Sequence, residues 1–372
     1  MMVKKPAPSS ASSLTILSSS DVDSVLSSLD PELALASQSS VFTSFSRPPP
    51  PVCLAKSEVP DIQIPHRLTV LSPEMTMLFM PSRVGDAGGT GCKIVSVPSA
   101  GGEGLPASTV VMDEKTGKVR AVINARKLTA LRNACGSALS LRSLPPPRPP
   151  TNLLIFGSGA QASAHAILFL KLFPSLTSVT IIIRRPSPRS AALLTTLTRS
   201  FPSTSFQVGV STYPQPSSDD TPAELSVNLS QAVHNANIIL TLTPSKEPLF
   251  NSVDVTSGTH VVCVGSYKPE MREVDEQLIR RAGLVVVDSK AACAAEAGEL
   301  IAANVGAEGM VELGELLAEG AVGQQAIERV QQSGDINLFK SVGIGIQDVA
   351  IADLVLREAE RLGLGTVVPE YD

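Results

Sequence analysis

The ten residues Leu153–Ala162, reading Leu-Leu-Ile-Phe-Gly-Ser-Gly-Ala-Gln-Ala, have the types and spacing to hold a pyrophosphate. A continuous apolar run leads into a glycine-rich turn and then into residues that start a helix. Gly157 permits the sharp turn, Gly159 lets the backbone approach an anion, and Ala162 stands for the third glycine where helix packs on strand. Backbone N–H groups at Ala160 and Gln161 would then face the phosphates from a helix N-terminus. The type of cofactor is legible one strand later. An acidic side chain at that strand's end would take a ribose 2′-hydroxyl, but the segment reads Ile183-Arg184-Arg185-Pro186-Ser187. Guanidinium groups match a 2′-phosphate bidentately, so Arg184 and Arg185 favour NADPH, with NADH as the alternative. The nicotinamide belongs at the carboxyl ends of the strands, here near Thr241, Thr243 and Val264, with Ser341 and Gly343 closing the pocket. The plain alternatives are a doubly wound domain that binds no nucleotide and arginines that only solvate a loop.

Three further basic residues stand out by their setting. Lys93 lies in Cys92–Val97, a run otherwise apolar apart from Ser96, where an ammonium is costly unless an anion or a function retains it. Arg132 follows Leu131 in the helical pattern Leu128, Leu131, Cys135, Ala138, Leu139, and so borders its apolar face. Arg67 leads a strand, and Arg83 is a rival closer to Lys93 in sequence. An edge-strand lysine, a snorkelling arginine and a solvated strand end are the structural alternatives. Other constellations fail. His66, His165, His234 and His260 are scattered without metal-ligand spacing, and His165 reads as a packed or exposed residue of the nucleotide helix. Glu296, Glu299, Glu312 and Glu315 read as solvated helix faces or caps. No metal site is expected.

These residues need elements to position them. A chain of 372 residues divides, at about 150 per domain, into roughly two. Two proline-rich stretches, 48–51 and 145–150, mark boundaries. Before the second lie a Ser/Ala/Pro-rich tail over 1–13, two short helices (Asp21–Leu29 and Pro31–Phe45), and strand-like runs at 67–80, 92–97, 108–112 and 119–123. They predict a small α+β unit with an antiparallel sheet. After it, short apolar runs at 153–156, 179–183, 206–210, 238–242, 260–264 and 284–287 alternate with helices, the pattern of a doubly wound parallel α/β sheet of Rossmann type. Residues 214–222 read as a surface loop, and the chain reads as helical after about Gly320, ending in a helix from Asp348 to Leu362. With 30 basic against 35 acidic residues, 3% aromatics and no Trp, nucleic acid is a poor partner. No apolar run approaches the roughly 18 residues of a membrane span. The five cysteines form no C-x-x-C pair, and the N-terminus has neither a signal-peptide core nor an Arg-rich leader, so a cytoplasmic protein is expected.

The glycine turn, Ala125–Arg132, Val264–Glu273, Phe339–Gly343 and Ile16-Leu17-Ser18 with Asp21-Val22 together resemble the ornithine cyclodeaminase/μ-crystallin family. The resemblance spans the chain from about residue 14. It implies a homodimer whose discontinuous dimerisation and substrate domain (14–144 with 325–372) flanks a Rossmann domain (151–324). It also implies hydride transfer involving amino acids or cyclic imines, with Lys93 as the catalytic lysine and Arg67 and Arg132 gripping the substrate carboxylate.

Departures from the family pattern choose among its reactions. Cyclodeaminases carry an aspartate at the position of Tyr267, and a phenol cannot pair a cationic amine as a carboxylate does. They also use NAD, whereas Arg184 and Arg185 favour NADPH. The expected activity is therefore reduction of a cyclic ketimine or imino acid. An ornithine cyclodeaminase and a non-catalytic NADPH-binding, crystallin-like protein are the alternatives.

Overall fold

The alternating runs and the continuous runs sort into two sheets, one in each of two units of the chain. In the computed structural model, residues 13–47, 60–99, 105–214 and 225–372 are described. The expected tail up to residue 12, the proline run 48–51, Cys53 and most of the loop 214–222 lie outside them. Strands are numbered in chain order.

The first unit takes in Met1–Asp30, Ser57–Thr129 and Gly345–Asp372. Its strands are β1 (Leu14–Leu17), β2 (Ile62–Gln63), β3 (Leu68–Leu71), β4 (Met75–Val84), β5 (Gly89–Pro98), β6 (Ala107–Met112), β7 (Val119–Asn124) and β16 (Thr366–Val368). The sheet runs β16-β1-β7-β6-β5-β4-β2, with β3 also on β4. It is mixed rather than antiparallel, because β1 lies parallel to β7. The alternating run over 67–80 is a hairpin, in which Ser72–Glu74 turn β3 back on β4. Ser18 caps the first helix, Ser19–Ser28, in a reciprocal capping box with Asp21. The helix Gly345–Leu362 packs against β4, β5 and β6. Its buried residues include Ile346, Val349, Ala350 and Leu354, an i, i+3, i+4 stripe that faces the sheet.

The second unit takes in Pro31–Lys56 and Ala130–Ile344. Three segments expected in the first domain group here instead, one of them residues 130–144, which carry Arg132. The helix Pro31–Phe45 packs on the helices Ala160–Leu172 and Leu313–Leu316, burying Leu35, Val41 and Phe42. Residues 325–344 belong here because Asn337–Lys340 is a sheet strand. The strands are β8 (Asn152–Phe156), β9 (Ser178–Ile183), β10 (Ser205–Val210), β11 (Ile238–Thr241), β12 (His260–Cys263), β13 (Val285–Val287), β14 (Met310–Glu312) and β15 (Asn337–Lys340). All pairings in the order β10-β9-β8-β11-β12-β15-β13-β14 are parallel. The chain reverses direction across the sheet beside β8, which is where open α/β sheets place ligands. Reading the chain as helical after Gly320 overlooks β15, a central strand between β12 and β13 that ends on a buried lysine and so does not register as an apolar run.

Candidate functional site

In the second unit, the turn after β8 has the local form its sequence predicts. Gly157 takes φ +113°, and a Cβ there would stand 3.2 Å from both Leu242 O and Thr243 Cγ2. A Cβ at Gly159 would meet nothing within 4 Å, so the backbone has open space above it. Gly159 caps the helix Ala160–Leu172 without any side-chain bond to the first amides. Gln161 Oε1 is buried with no hydrogen-bond partner among the described residues. Open space and uncapped N–H groups fit a dinucleotide pyrophosphate. After β9, Arg184 and Arg185 are exposed, whereas the Ser187 hydroxyl is committed to capping the helix Pro188–Ser200 through Ser190 N–H at 3.2 Å.

The carboxyl ends of β11, β12, β13 and β15 are tied together by buried charges. The Glu273 carboxylate accepts Thr243 N–H at 2.7 Å and Gly265 N–H at 2.6 Å, joining the turns after β11 and β12. Burial pushes its pKa up to about 7, against the pull of Lys340. Lys340 Nζ stands 2.9 Å from Glu299 Oε1 and donates to Ser266 O at 2.6 Å, all three residues being fully buried. Burial draws the lysine down, but the carboxylates of Glu299 and Glu273, with Cys263, outweigh it and hold it above its ordinary value. Asp288 accepts the Ser341 hydroxyl at 2.7 Å and the N–H groups of Val342 (3.0 Å) and Gly343 (2.6 Å).

The expected cofactor residues lie on this frame, and several have protein partners. The Thr241 hydroxyl donates to Val262 O at 3.4 Å, Thr243 to Glu273, and Ser341 to Asp288, while Val264 N–H is bonded to Thr241 O at 3.0 Å. Arg132, expected to border an apolar face, is 3% exposed. Its guanidinium donates to Asn133 Oδ1 and lies against Gly343, where a Cβ would come 2.5 Å from Nη1. Gly343 has φ +85°, so both its backbone and the space it leaves belong to this arrangement.

In the first unit, Lys93 is 3% exposed on β5, and its Nζ is 2.7 Å from Asp348 Oδ2 on the helix Gly345–Leu362. Asp348 sits in that helix's first turn, where the helix dipole favours a carboxylate. Directly across from Lys93 on β6 is Thr109, whose hydroxyl is buried with no partner among the described residues. Arg67 is exposed just ahead of β3. Arg83, the rival arginine, is bonded to Glu114 through Nε at 2.8 Å and Nη2 at 3.0 Å.

Sequence reading overlooked Asp348, Glu273, Asp288 and Lys340, and misplaced Glu299, which is buried rather than a solvated helix face. His165, read as a packed or exposed helix residue, is packed: it is fully buried, with Nε2 2.9 Å from Ser137 Oγ. The signal that existed was clustering: acids and one lysine directly after apolar strand runs, at the end of the sheet where chemistry collects.

Residues 54–362 match the model of the Ornithine cyclodeaminase/mu-crystallin family. A Delta(1)-pyrroline-2-carboxylate reductase of Bacillus cereus is 26% identical over 309 residues, 80% of this chain and 86% of the relative. Ketimine reductase mu-crystallin of Mus musculus is 30% identical over 249 residues, 67% of this chain and 68% of its own. Among solved structures, the fold is similar to Thermococcus litoralis Delta(1)-pyrroline-2-carboxylate reductase in complex with NADH and L-proline, with a TM-score of 0.74, 21% identity, and coverage of 95% of this chain and 99% of that one. It is also similar to the iminosuccinate reductase of Paracoccus denitrificans in complex with NAD+, with a TM-score of 0.76, 20% identity, and coverage of 96% and 99%.

Proposed function

Because this chain belongs to the ornithine cyclodeaminase/mu-crystallin family, we propose that it is an oxidoreductase that reduces cyclic ketimines or imino acids with NADPH. The observation that carries this reading is Lys93, an ammonium retained in the interior 2.7 Å from a buried carboxylate. Lys93 donates a proton to the imine nitrogen and makes the adjacent carbon electrophilic, and Asp348, 2.7 Å from its Nζ, holds the lysine in place until it does. The bound nicotinamide supplies the hydride that this carbon accepts. One C–H and one N–H bond form, the C=N bond becomes single, and the lysine is left neutral until it is reprotonated. Arg67 and Arg132 take the substrate carboxylate in charge-assisted bonds, with Gly343 leaving room for the Arg132 guanidinium. Gly157, Gly159, Ala160 and Gln161 receive the pyrophosphate, Arg184 and Arg185 the 2′-phosphate, and Thr241, Thr243, Val264 and Ser341 frame the nicotinamide.

The cyclodeaminase reading needs a carboxylate at position 267, and Tyr267, 38% exposed, offers none. In the first unit β3 exposes Leu68 (64%), Val70 (48%) and Leu71 (74%), which supports a homodimer formed through this sheet. Among the described residues no helix is long and apolar enough to cross a membrane. Cys92, Cys135, Cys263 and Cys293 are free thiols, which supports a cytoplasmic setting.

The test is a spectrophotometric assay of the purified protein with Delta(1)-pyrroline-2-carboxylate and Delta(1)-piperideine-2-carboxylate, NADPH and NADH side by side. Oxidation of NADPH that depends on the imine is expected. Ammonia release from ornithine without net cofactor turnover would instead make it a cyclodeaminase.

A further inference from the structure

Within the second unit, the helix Leu128–Ser143 carries Arg132 at one end and two buried serines further along. Ser137 Oγ is 2.9 Å from His165 Nε2 and 3.1 Å from Asn133 O, and Asn133 Oδ1 accepts from Arg132. His165 Nδ1 is 2.8 Å from Gln161 O, the second residue of the nucleotide helix. Ser137 and His165 are both fully buried. Polar contacts thus run from the Asn133 backbone carbonyl through Ser137 and His165 to Gln161 O, while the Asn133 side chain takes the Arg132 guanidinium.

The line has fewer protons than contacts. A neutral imidazole and a hydroxyl supply two hydrogens for three contacts, because Asn133 O and Gln161 O can only accept. Two arrangements satisfy this. In one, His165 donates from Nδ1 to Gln161 O and Ser137 donates to Nε2, leaving Asn133 O without the hydroxyl. In the other, His165 donates from Nε2 to Ser137 and Ser137 donates to Asn133 O, leaving Gln161 O without the imidazole. Each end takes its side-chain bond only at the expense of the other. This is a two-state element that contacts both binding regions, which is the physical requirement for coupling.

We propose that Ser137 and His165 are positioning residues that couple carboxylate binding at Arg132 to cofactor binding at the Gly157–Gln161 turn. The inference rests on the reading of Arg132 as the carboxylate ligand. Nearby, Ser140 repeats the chemistry without the destination: its hydroxyl is 3.1 Å from His260 Nε2, and His260 Nδ1 is 3.2 Å from Leu144 O. That second pair leads to the start of β12, away from the nucleotide turn, and serves as an internal control.

The experiment measures the NADPH dissociation constant of the intact protein by titration, with and without saturating L-proline, which forms a non-reacting complex. The unsubstituted protein is expected to show a ratio of the two constants at least about fivefold from unity, within the range usual for coupled sites. Ser137→Ala and His165→Phe bring the ratio close to one, and Ser140→Ala leaves it unchanged. A ratio that survives in both Ser137→Ala and His165→Phe, or a ratio of one in the unsubstituted protein, overturns the proposal. Should His165→Phe fail to fold, Ser137→Ala, which removes one hydroxyl, decides alone. Arg132→Met separates the two claims: unchanged L-proline affinity in that variant defeats the carboxylate reading, whatever the ratio does.

Discussion

Lys93 on β5 and Asp348 on the helix Gly345–Leu362 face each other at 2.7 Å, with side chains 4% and 2% exposed. Removing one partner of such a pair strands a charge in the interior, which costs about 3–5 kcal/mol, whereas removing both leaves none stranded. Asp348→Ala is therefore expected to lose that much stability in urea denaturation. Lys93→Met should be destabilised in the same way and lose about 10²–10⁴-fold in turnover through loss of the proton donor. The double variant Lys93→Met with Asp348→Asn should recover most of the stability, keep NADPH binding, and recover none of the turnover. Recovery of activity along with stability would mean that the lysine is structural.

Gly343 is where a backbone requirement and a side-chain requirement coincide. Its φ of +85° disfavours any other residue, and a Cβ would stand 2.5 Å from Arg132 Nη1. The strained conformation alone costs about 1–3 kcal/mol, and the guanidinium must also move. Gly343→Ala is expected to raise KM for the imino-acid substrate about tenfold or more, since about 1.4 kcal/mol corresponds to one decade. A variant that stays folded with KM unchanged would separate Arg132 from substrate binding.

The parts of the candidate site legible in the sequence are those that hydropathy and local spacing encode. Gly157, Gly159 and Ala162 declare themselves by lying between a strand run and a helix start, and Arg184 and Arg185 by closing the next strand. Arg132 and Lys93 are legible as basic residues in apolar settings. Their partners are not, because Asp348 lies some 250 residues from Lys93 in the chain, and no local pattern encodes a contact made by helix packing. Lys340 and Glu299 fail differently. Each reads as a surface charge until the fold buries both together, and that misreading also conceals β15, whose last residue is Lys340.

Three buried titratable groups of the second unit set opposing pH slopes. Burial lowers His165 and His260 from 6.5 to about 4, and raises Glu273 from 4.5 to about 7. Between pH 4.5 and 6.5 the unfolded chain binds two more protons at the histidines than the folded one, while the folded chain binds one more at Glu273. The net is one proton in favour of unfolding as pH falls, so stability should rise across this window by about 1.4 kcal/mol per pH unit. From 6.5 to 7 only Glu273 still changes, and stability should decline slightly. Glu273→Gln removes the opposing slope, so its stability should fall about twice as steeply on acidification. Urea midpoints at about pH 5, 6.5 and 8 for both proteins test this; equal slopes would show that Glu273 titrates in its ordinary range.

The proposed preference for NADPH rests on two exposed arginines, because the neighbouring hydroxyl is already spent on a helix cap. Ser187 accepts from Ser190 N–H at 3.2 Å and its own N–H is bonded to Ser190 Oγ at 3.0 Å. A 2′-phosphate would therefore depend on Arg184 and Arg185, each bond to a charged group being worth about 1.5–3 kcal/mol. Arg184→Ala and Arg185→Ala should each raise KM for NADPH by roughly ten- to a hundredfold and leave KM for NADH nearly unchanged. Since both side chains face solvent, the preference should also shrink as salt is raised from about 0.05 to 0.5 M, where screening shortens to a few ångströms. NADPH and NADH constants that move together in these variants, or a preference indifferent to salt, would show that the loop does not read the phosphate.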